Sequence, residues 1–169
     1  MSVYRFTSIG KPRFPREAGV PIARYDGPFG PAELTYGRHH TRISGSEIPE
    51  LVFDRGLEGR ADGEQGLRIP IRCQIGEAEG RLHHPNWSLL NKRKRAVHLD
   101  LPDRHYLYYF AGIRARKAVE RDGRIVGRNA KARAQGDLAD WADPTDVPVL
   151  ILFLSGSDFY EAIGSGLFT

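Results

Sequence analysis

The residues through which this chain could do chemistry are its six histidines, a run of four consecutive cations and a scatter of carboxylates. His98 and Asp100 stand two residues apart, so on a strand they share one face. His105 and Asp103 follow closely. An imidazole beside an orienting carboxylate suits general acid–base work or metal binding. His98, Asp100 and His105 are therefore the catalytic candidates, set against the plainer reading of a surface His–Asp contact in a charged sheet. His39-His40 and His83-His84 are adjacent pairs, and strand neighbours point to opposite faces, so neither pair chelates one ion naturally. His84, followed by Pro85, reads as a turn residue. One Cys allows neither an internal disulfide nor a thiolate zinc cluster, and Cys73 reads as a buried, inert thiol. No catalytic residue, metal site or cofactor is assigned.

Lys92-Arg93-Lys94-Arg95 is the densest charge run. On a strand it would alternate faces; as a loop it could grip phosphate, joined across a sheet by Arg114, Arg116 and Lys117. Trp87, Tyr106 and Tyr108 lie near enough in sequence to stack bases or to sit in a lipid interface. The alternative is a set of solvated basic strands with the aromatics in the core. The wider pattern is lopsided. Residues 1–90 hold 12 basic and 11 acidic side chains, residues 91–133 hold 13 and 4, and residues 134–169 hold no Lys or Arg and 6 acidic ones. A basic surface in residues 91–133 implies an anionic partner, whether lipid headgroups, an acidic protein or nucleic acid. Pairing of the basic middle with the acidic end would also account for it.

Strands dominate the segments that must carry these residues. Residues 67–75 alternate, with Leu67, Ile69, Ile71, Cys73 and Ile75 facing a core and Arg68, Arg72 and Gln74 facing water. Pro70 predicts an edge or a bulge there. Val97, Leu99 and Leu101 alternate likewise, and residues 105–115 form a long aromatic strand with Tyr106, Tyr108 and Phe110 on one face. Asp122-Gly123 predicts a type I′ hairpin turn. Residues 33–36, 41–43 and 51–54 are shorter strands. Residues 1–31 are turn-dense, and ordered loops or an extended N-terminal arm both fit. Residues 146–163 predict one helix, apolar all round in its first half and so buried on all sides, with Thr145 as N-cap. A buried strand over 147–154 is the competing reading. The 169 residues thus predict a single mainly-β domain, an antiparallel β-barrel or strongly curved sheet around one apolar near-C-terminal helix.

Residues 87–163 resemble the tubby-like C-terminal fold, the group of the LURP-one-related and phospholipid-scramblase domains. The likeness rests on the basic strand 92–101, the aromatic strand 106–117, the Asp122-Gly123 hairpin, and Asp143-Pro144-Thr145-Asp146 leading into the apolar stretch 147–154. Pro148 and Gly156 depart from an unbroken central helix. The resemblance implies a closed antiparallel barrel around a hydrophobic helix, and phosphoinositide or membrane-lipid binding in some members, with no enzymatic activity common to all. No headgroup-binding residue carries over.

Several classes are excluded. There is no Gly-x-x-x-x-Gly-Lys-Ser/Thr loop, dinucleotide fingerprint or Gly-x-Ser-x-Gly elbow. The longest apolar run, 147–154, is too short to span a bilayer as a helix. No apolar h-region follows Met1, so the chain reads as soluble and cytoplasmic. The first reading is a non-enzymatic binding module, the second a nucleic-acid binder, the third a small barrel enzyme with a His/Asp site at its mouth. Oligomeric state is left open.

Overall fold

The structure, a computed structural model, describes residues 2–8, 20–36, 40–54, 70–83, 96–111, 116–129 and 135–154. Among these described residues the chain forms twelve strands and one helix. The strands are β1 (Ser2–Ser8), β2 (Val20–Gly27), β3 (Gly30–Tyr36), β4 (His40–Gly45), β5 (Leu51–Asp54), β6 (Ile71–Ile75), β7 (Ala78–His83), β8 (Val97–Asp100), β9 (His105–Ala111), β10 (Arg116–Arg121), β11 (Arg124–Asn129) and β12 (Gln135–Leu138). The helix is α1 (Asp146–Leu154). Each strand pairs antiparallel with its sequence neighbour, and β1 pairs with β12, so the sheet closes into a barrel without an edge.

Alternation builds the wall. In β6, Ile71, Cys73 and Ile75 are buried while Arg72 and Gln74 are exposed, as the sequence predicts. Pro70 precedes β6, so its missing donor costs the ladder nothing. Tyr106 and Tyr108 of β9 point inward with Val97 and Leu99 of β8. The β10–β11 hairpin turns at Asp122 (φ 50°) and Gly123 (φ 82°), the two positive values a type I′ turn requires.

The N-terminal segment supplies β1 and β2, so residues 2–8 and 20–27 are strands rather than loops or an arm. Tyr4 and Tyr25 point into the core with their rings 5.7 Å apart. The Pro and Gly residues at 27–31 belong to the tight β2–β3 connection, where Gly30 takes φ 73°.

The helix explains the size of the barrel. Eight strands enclose a space that side chains alone can fill; twelve enclose more. All nine residues of α1 are buried, and Phe153 stacks on Tyr108 with ring centroids 4.8 Å apart and planes 7° apart. Residues 147–154 are thus helix and not strand; 155–163, also expected to be helical, lie outside the described residues. Pro148 is the third residue of α1, where its missing amide proton leaves no carbonyl unmet. The wall makes room for the helix. A Cβ on Gly127 would lie 2.4 Å from a Leu150 methyl carbon. Gly127→Ala is therefore expected to overpack the core and destabilise the fold by about 1–3 kcal/mol. Urea denaturation checks this, and an unchanged midpoint would show that α1 does not press on β11.

Candidate functional site

The described turns all gather at one rim. Residues 28–29, 46–50, 76–77, 101–104, 122–123 and 139–145 connect the strands there and lead into α1. They carry seven Asp or Glu and one basic residue, Arg104. The remaining connections are residues 9–19, 37–39, 55–69, 84–95, 112–115 and 130–134, with residues 155–169 following α1. Their structure is outside the described residues. Their sequence holds 14 Lys or Arg and six Asp or Glu. The described connections are thus acidic, and the connections outside the described residues are basic in sequence.

At the acidic rim, burying the start of α1 demands partners. Asp143 Oδ1 accepts the Thr145 amide at 2.9 Å, and Asp146 Oδ2 accepts the Asp143 amide at 2.8 Å. Asp143 and Asp146 thus serve the amides ahead of α1, a role that the sequence suggests for the Thr145 hydroxyl. Asp146 is fully buried and also takes Arg121 Nη1 at 2.8 and 2.9 Å and the Tyr106 hydroxyl at 2.8 Å. Asp143 receives Arg121 at 2.5 Å and Arg104 at 2.9 and 3.1 Å. Trp141 lies beneath the guanidinium groups of Arg121 and Arg124, at 4.6 and 4.5 Å. At the far end of α1, Asn129 Nδ2 donates to the Leu154 carbonyl at 3.3 Å. Arg104, Arg121 and Asn129 escape sequence reading because these partners lie 22 to 39 residues away.

Burial is the largest influence on both carboxylates and raises both. On Asp143 the bonds from Arg121 and Arg104 outweigh it and hold the carboxyl below its usual range. On Asp146 burial prevails and pushes it up. Burial likewise raises the Tyr106 hydroxyl, aided by Asp146, and pushes the Cys73 thiol up to about 12.

The sequence candidates His98, Asp100 and His105 do come together, on the outer wall, and His83 joins them. His83 Nε2 meets Asp100 Oδ2 at 2.6 Å, His105 Nε2 approaches Asp100 Oδ1 at 3.3 Å, and His98 Nδ1 bonds His105 Nε2 at 2.9 Å. The last bond requires one nitrogen to carry a proton and the other to lack it. Cross-strand register creates the cluster: His83 opposes His98 and Asp100 opposes His105. Among the described residues no group of three or more His, Cys, Asp or Glu is placed to hold a metal ion. The arrangement can share and orient protons.

Of the anion-binding candidates, Lys92, Arg93, Lys94, Arg95 and Arg114 lie outside the described residues. Arg116 is on β10 opposite Ala111, and half-buried Lys117 shares the inward register of Val119 and Arg121, so Lys117 does not extend an outer basic face. A groove of about 730 Å³ opens beside the histidine cluster, lined by Val52, Arg72, Gln74, Glu79, Arg81 and Asp100 among others. No helix among the described residues is long and apolar enough to cross a membrane.

No family model matches the chain, nor does any curated protein or solved structure.

Arg121→Met is expected to strand the buried Asp146 charge and cost about 3–5 kcal/mol. Thermal denaturation reads this, and a wild-type midpoint would refute the pairing. The lowered Asp143 group contributes stability that is present above its unfolded value of about 4 and lost as pH falls through its lower folded value. Asp143→Asn should therefore flatten the acid-side fall in urea midpoint below about pH 4. An unaltered acid limb would show that Asp143 carries none of it.

Proposed function

We propose that this chain is a non-enzymatic binding module of the tubby-like kind, working in the cytoplasm, which turns its basic rim toward an anionic membrane surface. The observation that carries the reading is the contrast between the described connections, which lie at one rim with one cation against seven carboxylates, and the remaining connections and C-terminal stretch, whose sequence holds 14 cations against six carboxylates. A body so polarised orients itself in the field of a charged surface, with the acidic rim turned away. A closed twelve-strand barrel around an apolar helix supports the tubby-like placing, since that is the architecture the resemblance implies. The basic run at 92–95, in the β7–β8 connection, supplies four of the 14 cations.

The test is co-sedimentation with phosphatidylcholine vesicles, with and without phosphatidylserine, at low and physiological salt, with duplex DNA as competitor. The protein should sediment only with the anionic vesicles. Each Lys or Arg near such a surface contributes about 1 kcal/mol, so K92E/R93E/K94E/R95E should lower binding by about 10²-fold or more. Equal binding to neutral vesicles, or none at either salt, contradicts the reading. Displacement by DNA at physiological salt would turn it toward nucleic acid.

A further inference from the structure

The outer wall carries one arrangement that the rim charge does not explain. Arg72 on β6 and Arg81 on β7 are direct cross-strand partners, both exposed. Like charges set opposite one another on a sheet are destabilising. Other wall cations have partners: Arg24 pairs with Glu33 at 2.6 Å, Arg42 with Glu50 at 3.3 Å, and Arg121, which opposes Arg124, with Asp143 and Asp146. Among the described residues neither Arg72 nor Arg81 has an ion pair. Asp100 opposes Arg81 in register, but its two oxygens are turned to His83 and His105. Glu79 opposes Gln74, whose amide nitrogen is bonded to the Gly76 carbonyl at 2.9 Å. Both arginines line the groove of about 730 Å³, within the size range of small-molecule sites.

We infer that this groove binds a small soluble phosphate monoester, its phosphate held between the Arg72 and Arg81 guanidinium groups. Two planar five-donor groups side by side match a tetrahedral oxyanion and relieve their mutual repulsion when it is present. Glu79 and the Gln74 side-chain oxygen supply acceptors for hydroxyl groups on the rest of the ligand. The groove lies by the 76–77 and 101–104 turns of the acidic rim. A small phosphate compound can reach the two arginines by itself, whereas a bilayer would bring an extended anionic surface against the seven carboxylates of that rim, so a free phosphate compound suits the site better than a lipid headgroup.

Thermal denaturation of the full chain tests this, with glucose 6-phosphate and inorganic phosphate as probes and chloride at equal ionic strength as control. At about five times Kd, glucose 6-phosphate should raise Tm by about 3 °C over chloride. Arg72→Gln and Arg81→Gln should each abolish that rise. Without ligand each variant should be at least as stable as the wild type, because a repulsion has been removed. Lys92→Gln/Arg93→Gln should keep the rise, which separates this site from the basic rim. No rise in the wild type overturns the inference. A rise that survives Arg72→Gln and Arg81→Gln overturns it too. Tighter binding to phosphoinositide vesicles than to glucose 6-phosphate, lost in the same variants, would overturn the soluble ligand in favour of a headgroup.

Discussion

A twelve-strand barrel has an interior that its own side chains do not fill, and the filling of that space by α1 governs much else in this protein. All nine residues of this helix are buried, so its terminal backbone groups need partners. Asp143 and Asp146 accept the Thr145 and Asp143 amides just ahead of the start, and Asn129 meets a carbonyl at the finish. Those carboxylates in turn need cations, which the β8–β9 turn and β10 deliver as Arg104 and Arg121. Close passage of the helix forces Gly127 on the wall beside Leu150. A hydrophobic requirement is thereby converted into a fixed set of polar and steric ones.

What the sequence revealed follows the range of the interactions. Period-two alternation is local, so β6, β8 and β9 were legible from Ile71, Val97 and Tyr106 and their neighbours. The turn at Asp122-Gly123 was legible because only a few dipeptides accept two positive φ angles. The apolar run 147–154 declared its burial, and Thr145, read as an N-cap, spoke for a helix. β1 and β2 were not legible, because their partners are β12 and β3 and their short alternation is crowded by Pro and Gly. The pairing of Arg121 with Asp146 was invisible for the same reason: nothing local distinguishes a cation that will cap a buried helix from one that will face water.

The candidate site divides similarly. His98 and Asp100 share a strand face and were found by spacing alone, and His105 by its nearness. His83 joins them only through the β7–β8 register, so it was read merely as half of an adjacent pair. Arg72 was read as one water-facing residue of an alternating strand. Its significance appears only when Arg81 is seen opposite it. Charge totals along the chain suggested a basic middle, whereas the closed topology sorts the connections between two rims. Lys117 left the basic set because its register turns it inward, whereas Lys92 to Arg95 belong to the β7–β8 connection, outside the described residues.

The claim on which all of this rests is that residues 147–154 form a helix sealed inside the barrel. Native-state hydrogen exchange of their amides tests it most directly. A sealed helix exchanges only when the whole barrel opens, so amides from 149 onward should be among the slowest in the chain. Their opening free energies should equal that of global unfolding measured by denaturant. Exchange of those amides at rates well above global unfolding, with the β6, β9 and β10 amides still protected, would contradict it.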